Sequence, residues 1–401
     1  MKKTLLTLSI AAVFAVGASA AEFKAGTYTA KAPGIHGDVT VTVTFTKDKI
    51  ADVKVTHSET PGIGSKAAEL LPGRIVERQS PQVDGVTGAT ITSTAIRTAV
   101  ADTVKQAGAD PAALVPLAVK KQAKNETVDT DVVVVGGGGA GMSATIRTRM
   151  NGLNVVLVEK MPFIGGAASI SGGQVVAQGS KLQKAFGVTD DSVESMVKDF
   201  QANGHNLNDL SKLTLYAKNV GPTIDWLHDQ VGVKFIPNDL PFLAEYSHRR
   251  ALEFQGGAGT MAHHLREVIG SNGAKVLFNT RVEKLIVEDG KVTGVEAVDG
   301  NTGTKYTIRA KKTLLTTGGY GNNKNLLTDT YKNTLYYGPV SSTGDGLQMA
   351  QKLGVKTQLL EYGKRYPNGI EVAPGKAKST IYANVGAFDQ AGILVSRDGL
   401  R

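Results

Sequence analysis

Threonine and valine alternate through DVTVTVTF, from Asp38 to Phe45, and the alternation resumes at Ile50 in IADVKVT. A period of two puts one side of a strand in a core and the other in water, so residues 26–56 read as an antiparallel meander turning at Lys47-Asp48-Lys49. SETPGIGSKAAELLPG, from Ser58 to Gly73, reads as a loop on its prolines and glycines. The period then lengthens: Ala95, Ile96, Ala99, Val100 and Val104 share one face of a helix between Ser93 and Gln106. A polar, charged stretch over residues 116–128 reads as a linker. Beyond it, TDVVVVGGGGAGMSATIRTRMNGLNVVLVEK is a strand, a glycine-rich turn, a helix and a second strand, a βαβ unit. VLFNTRVEKLIVEDGKVTGVEA follows as strand, turn and hairpin, and KKTLLTTGG ends a strand at Thr317-Gly318-Gly319. The pattern predicts a small α+β domain followed by a doubly wound, Rossmann-like α/β domain.

The first twenty residues, MKKTLLTLSIAAVFAVGASA, have a basic start, a short apolar run and an Ala18-Ser19-Ala20 ending. They read as a cleavable export signal, with the mature chain starting at Ala21 and residing in the periplasm. The apolar run is too short for a comfortable span of the bilayer.

Composition narrows the chemistry. With 401 residues, 41% apolar and 20% charged, the chain is globular and large enough for two or three domains. It has no cysteine, which excludes disulfides, iron–sulfur clusters and CxxCH haem attachment, so redox chemistry here needs an organic cofactor. The seven histidines lack metal-ligand spacing. A net charge of +9 is spread rather than clustered, and Trp226 is the single tryptophan. That favours attraction of anionic substrates over nucleic-acid binding.

The candidate chemistry centres on the glycine turn. Gly136, Gly138 and Gly141 give G-x-G-x-x-G directly after a strand, and Glu159 ends the second strand. Glycines let the backbone approach a pyrophosphate at the helix N-terminus, and the carboxylate accepts from ribose hydroxyls. KMPFIGGAASISGG, opening at Lys160, adds Gly165, Gly166, Gly172 and Gly173 in a loop able to wrap the far half of a flavin dinucleotide. Thr317 and Gly318 join the same expected cofactor site.

VVVVGGGGAGMSA, LVEKMPFIGGAASISGG, QGGAGTMAHHL, NTRVEKL, TTGGYGNN and STGDGLQMAQKLG occur in that order. In these runs residues 129–357 resemble the FAD domain of the fumarate reductase/succinate dehydrogenase flavoprotein superfamily, including its soluble periplasmic fumarate reductases and urocanate reductases. The resemblance implies that Ala140, Glu159, Ala167, Ala168, Gly173, Val282 and Asp345 contact non-covalent FAD; Ala167 stands where many members have asparagine. Residues 21–115 resemble the FMN-binding domain fused to such reductases. Asp84, Gly85, Thr87, Gly88, Ala89 and Thr90 fill its D-G-x-T/S-G-A-T pattern, and HSETPGIG matches its loop. That implies FMN joined to Thr90 by a phosphoester bond made by a flavin transferase. Read without the resemblance, Thr87, Thr92 or Ser93 caps the helix that follows, and both roles are compatible.

The implied activity is electron transfer from an external donor, such as a membrane quinol-linked cytochrome in anaerobic respiration, through FMN and FAD to the C=C bond of an unsaturated carboxylate. Residues 358–401 resemble the start of a capping domain, cut short. Arg401 matches a family arginine other than the proton donor, which is expected beyond it, and Arg397 reads as a solvated turn residue. The family's substrate histidine falls on Tyr366, which points away from fumarate toward urocanate, acrylate or an aryl acrylate, although Arg365 beside it restores a charge. The competing expectations are a non-catalytic FMN electron carrier, and an oxidase or dehydrogenase of the superfamily acting on steroids or aspartate.

Overall fold

The computed structural model describes residues 22–61, 64–86, 89–117, 123–237, 240–365, 369–380, 392–393, 395–396 and 398–400. The leader with Ala18-Ser19-Ala20, and also Thr87, Gly88, Tyr366, Arg397 and Arg401, lie outside the described residues. Contacts divide the chain into two units: residues 1–59, 67–85 and 91–119, and residues 60–66, 86–90 and 120–401.

The first unit is built on strands β1 (Gly26–Pro33), β2 (Asp38–Phe45) and β3 (Ile50–Thr56), paired antiparallel in that order. Val41 lies opposite Ala30 on one side and Val55 on the other. Val39, Val41, Val43 and Phe45 are all buried while the intervening threonines are not, as the alternation demands. Two helices complete the elements, α1 (Gly64–Arg78) and α2 (Thr90–Gln106). Helix α1 corrects the loop expected over Ser58–Gly73. Ala67, Leu71 and Ile75 recur every fourth residue and are fully buried. Burying Leu71 and Ile75 contributes about 1.5–3 kcal/mol each, which outweighs the roughly 3 kcal/mol that Pro72 costs inside the helix. Helix α2 starts three residues before the expected Ser93, at Thr90.

In the second unit, β4 (Asn125–Val135), α3 (Gly139–Met150) and β5 (Val155–Val158) form the βαβ unit. There follow β6 (Gln174–Val176), α4 (Lys181–Ala185), α5 (Val193–Asn203), α6 (Leu210–Trp226), β7 (Ala251–Glu253) and α7 (Gly257–Ser271). Strands β8 (Lys275–Leu277), β9 (Thr280–Glu288), β10 (Lys291–Asp299) and β11 (Lys305–Leu315) return the chain to the sheet, before α8 (Asp329–Lys332), α9 (Asp345–Gln351) and the hairpin β12 (Gly369–Ala373) and β13 (Lys376–Ser379). The six-stranded sheet has the order β8-β5-β4-β11-β10-β9. Its first four strands are parallel, and β10 pairs antiparallel with β11 on one side and with β9 on the other. Asn125 to Asp129, expected in or at the edge of the linker, pair with Lys305 to Arg309. Local polarity hid that pairing, because the partner lies far along the chain.

Both faces of the sheet are covered. Val132, Val134 and Leu157 pack with Met142 and Ile146, and Val133, Val135, Val156 and Val158 pack with Val295, Ile308 and Met349. A strand buried on both faces reads as an unbroken apolar run, which is why VVVV shows no alternation. Beside β7, the guanidinium of Arg250 is fully buried and held by two carboxylates: Nε and Nη2 donate to Asp191 at 2.7 and 2.6 Å, and Nη1 to Asp199 at 2.6 Å. Among the described residues no helix is long and apolar enough to cross a membrane.

Candidate dinucleotide cleft

The cleft forms where β4 stops. Val135 passes the chain to Gly136, whose φ of 101° belongs to the left-handed region; a Cβ there would lie 2.6 Å from the carbonyl oxygen of Thr316. Gly141, inside the first turn of α3, is held more tightly, since a Cβ would come within 1.9 Å of the Gly136 carbonyl oxygen. Gly138 is different: among the described residues, apart from its own chain neighbours and local helix backbone, no atom lies within 4 Å of where its Cβ would stand, and the same holds for Gly318. The turn thus combines closely packed glycines with glycines open to the cavity, as a loop that brings backbone against a ligand requires.

A cavity of about 320 Å³ opens over this turn. From the βαβ unit it is lined by Gly136, Gly138 and Ala140, together with Glu159 and Lys160 at the end of β5. Gly166, Ala167 and Ala168 enter from the loop that follows, in a short 3₁₀ turn spanning Gly166–Ile170. Val282 comes from β9, Thr317 and Gly318 from beyond β11, and Asp345 from the start of α9. Gly141, Gly165, Gly172 and Gly173 do not line it. Gly141 packs on the turn itself, Gly165 faces the side chain of Ser169, and Gly173 approaches the backbone at Ala258.

Glu159 is 7% exposed. One carboxylate oxygen accepts from the Gly137 N–H at 2.6 Å and the other from the Met161 N–H at 2.8 Å. Burial pushes its carboxyl above the usual value, against the pull of those two N–H groups and of the Lys160 charge. The carboxylate oxygens accept more than one bond each, so capacity remains for a hydroxyl in the cleft. Asp345 is bonded by Lys160 Nζ at 2.9 Å and by Arg281 Nη2 at 2.7 Å, and Lys160 also donates to Thr343 Oγ1 at 2.6 Å. Burial alone would raise the Asp345 carboxyl, but the bonds from Lys160 and Thr343 and the two cations hold it below its ordinary range.

Sequence reasoning missed Arg281, Thr316, Ser341, Ser342 and Met349, all of which line the cleft or, for Arg281, also brace it. Arg281 adjoins the expected Val282, but nothing local marks it as the partner of a carboxylate 64 residues away.

These residues fit an FAD. A first helical turn supplies amide donors without intrahelical partners, and Gly138 leaves room for a phosphate to approach them. Glu159 adds a buried carboxylate to the same cavity.

Thr90 is the first residue of α2. Two residues into that helix, Thr92 donates its hydroxyl to Glu59, a carboxylate that also accepts from the N–H groups of Ile35 at 2.8 Å and His36 at 3.2 Å. Burial raises the Glu59 carboxyl, but the bonds from Thr92, His36 and Ile35 outweigh it and leave it lowered.

A family model described as an FAD binding domain matches residues 131–401, about two-thirds of the chain. The chain belongs to the FAD binding domain family. A second model, an FMN-binding domain, matches residues 34–105, so this FAD binding domain protein carries domains for both flavins. It is 31% identical to a urocanate reductase of Eggerthella lenta over 394 residues, covering 96% of this chain and 64% of the relative. It is 28% identical to an NADH:acrylate oxidoreductase of Vibrio harveyi, covering 87% of this chain and 41% of that one. Among solved structures it is similar to the open conformation of a flavocytochrome c3 fumarate reductase, at 35% identity and a TM-score of 0.53, covering 56% of this chain and 40% of that one. The chain therefore spans about 41–64% of the length of these curated relatives.

Proposed function

We propose that the protein is a flavin-dependent reductase of an α,β-unsaturated carboxylate, with FAD held in the cleft and FMN joined to Thr90. The observation that carries this reading is the cleft: a helix N-terminus, glycines open toward the cavity and a buried carboxylate, in a chain that also has an FMN-binding domain. Similarity to a urocanate reductase over 96% of the chain supports the choice of substrate class.

In this reading Gly136, Gly138, Ala140, Gly166, Ala167, Ala168, Thr317 and Gly318 receive the dinucleotide, and Glu159 accepts from its ribose. Val282, Lys160 and Asp345 close the cleft on the other side, while Gly141, Gly165, Gly172 and Gly173 shape the loops. When bound, the flavins supply passage from one-electron donors to a two-electron hydride transfer. At Thr90, a phosphate at the N-terminus of α2 meets unpaired amide donors. The domain plan proposed is an export signal over residues 1–20, an FMN domain over 21–115, an FAD domain over 129–357 and the start of a capping domain over 358–401. A periplasmic location, a flavin transferase for maturation and an external, quinol-linked donor complete it.

The test is reoxidation of reduced methyl viologen by the full-length, flavin-loaded protein. Urocanate, acrylate or an aryl acrylate is expected to reoxidise the dye well above the acceptor-free rate. If no 2-enoate does so, the non-catalytic electron-carrier reading replaces this one.

A further inference from the structure

Three charged residues that line the cleft are bonded to one another: Lys160 just past β5, Arg281 near the start of β9 and Asp345 at the first position of α9. Asp345 is engaged on both carboxylate oxygens. Oδ2 accepts from Lys160 Nζ at 2.9 Å, while Oδ1 accepts from Arg281 Nη2 at 2.7 Å and from the Thr343 hydroxyl at 2.9 Å. Thr343 accepts in turn from Lys160 Nζ at 2.6 Å, which closes a ring of bonds among Lys160, Thr343 and Asp345. The Asp345 side chain is 10% exposed and that of Arg281 57%, so the anion is enclosed while the guanidinium reaches outward.

Each member of the set adjoins a residue of a different cleft wall. Lys160 follows Glu159, and Arg281 precedes Val282. Asp345 precedes Gly346, where a Cβ would lie 2.1 Å from the Thr317 hydroxyl, so the start of α9 rests directly on Thr317. Closely packed groups pass a displacement on to their neighbours. Losing the bonds to Asp345 therefore lets Glu159, Val282 and Thr317 drift apart. In charge, two cations face one anion, so the set keeps one surplus positive charge toward an anionic ligand.

We propose that Arg281 is a positioning residue for FAD: with Lys160 and Asp345 it straps the three walls together, and the geometry so fixed outweighs the negative charge that Asp345 sets against a pyrophosphate. The proposal rests on the reading that the cleft holds FAD. Charge and geometry give opposite signs for one substitution. Asp345→Asn removes an anion and doubles the surplus positive charge, which by Coulomb attraction alone tightens an anionic dinucleotide. The same change leaves Lys160 and Arg281 without their shared acceptor, which loosens the walls and the dinucleotide with them.

The experiment is ultrafiltration of the full-length, flavin-loaded protein at graded dilutions, with FAD in the filtrate measured by chromatography. It compares the unsubstituted chain with Asp345→Asn, Arg281→Met and Arg281→Lys. Asp345→Asn is expected to weaken FAD binding about tenfold, and Arg281→Met about threefold, because its guanidinium is half exposed. Arg281→Lys should recover most of that loss, since lysine restores the charge that methionine, of similar length, lacks. Equal or tighter binding in Asp345→Asn overturns the proposal. So does unchanged binding in Arg281→Met, which decides alone if thermal unfolding without FAD shows that the Asp345 variant does not fold. FAD that stays bound in every variant sinks the strap and leaves the reductase reading. Weakened FAD in both variants while no 2-enoate reoxidises viologen sinks the reductase reading and leaves the strap. An unsubstituted protein that holds no FAD removes both.

Discussion

Glycines at 138 and 141 belong to one motif yet do opposite work. A methyl group at Gly141 would meet backbone at 1.9 Å, and that neighbour cannot give way without moving the turn. A methyl group at Gly138 meets nothing among the described residues within 4 Å, apart from its own chain neighbours and local helix backbone, and Gly138 lines the cavity. Gly141→Ala should therefore lower the stability of the apoprotein by about 1–3 kcal/mol through overpacking. Gly138→Ala should leave it within about 0.5 kcal/mol while reducing FAD retained on gel filtration. Thermal unfolding of flavin-free protein, paired with flavin content, separates the two; equal unfolding midpoints would refute the distinction. The spacing of the glycines was legible in the sequence, but not which of them faces the cavity. That depends on Thr316, whose carbonyl and hydroxyl crowd the turn from just beyond the end of β11, about 180 residues later in the chain.

At the scale of elements, burial decides where local signals disagree. Pro72 and Gly73 argue for a loop, yet α1 runs through both because Ala67, Leu71 and Ile75 share a buried stripe. The connection between α5 and β7 depends instead on charge. Arg250, just before β7, is enclosed by Asp199 within α5 and Asp191 just ahead of it, with Gln183 and Ser195 completing the hydrogen bonds. Burial pushes both carboxyls up, but their bonds from Arg250 and from Gln183 or Ser247 hold them below the ordinary 3.8. A carboxyl depressed in the folded state contributes stability that is present above 3.8 and is lost as pH falls through its folded value. Arg250→Met strands two carboxylates and should cost about 3–5 kcal/mol at neutral pH. Protonation relieves the stranded pair, so the gap to the unsubstituted protein should narrow as pH is lowered toward 4. Unfolding midpoints measured across that range check this; a gap independent of pH would mean that Arg250 acts by packing alone.

For the molecule as a whole, the prediction concerns its flavin count. One FMN joined to Thr90 and one FAD held by contacts alone should part company on acid precipitation, with FAD in the supernatant and FMN on the pellet at one per chain. Thr90→Ala should release all flavin, and a pellet that stays yellow in that variant would move the attachment elsewhere.

The sequence alone determined a small α+β domain, then a doubly wound α/β domain with its glycine turn, because alternation, helical spacing and short glycine motifs are local properties of a chain; that both domains bind flavins was implied by their resemblance to known families. Only the tertiary structure decided which residues face the cleft. Asp345 meets Lys160 across 185 positions and Arg281 across 64, and the last residues assigned to the linker became strand only through pairing with Lys305 to Arg309. Hydrogen bonds and ion pairs are satisfied by whatever the fold brings within reach, and that reach is set by the sheet order rather than by neighbours along the chain.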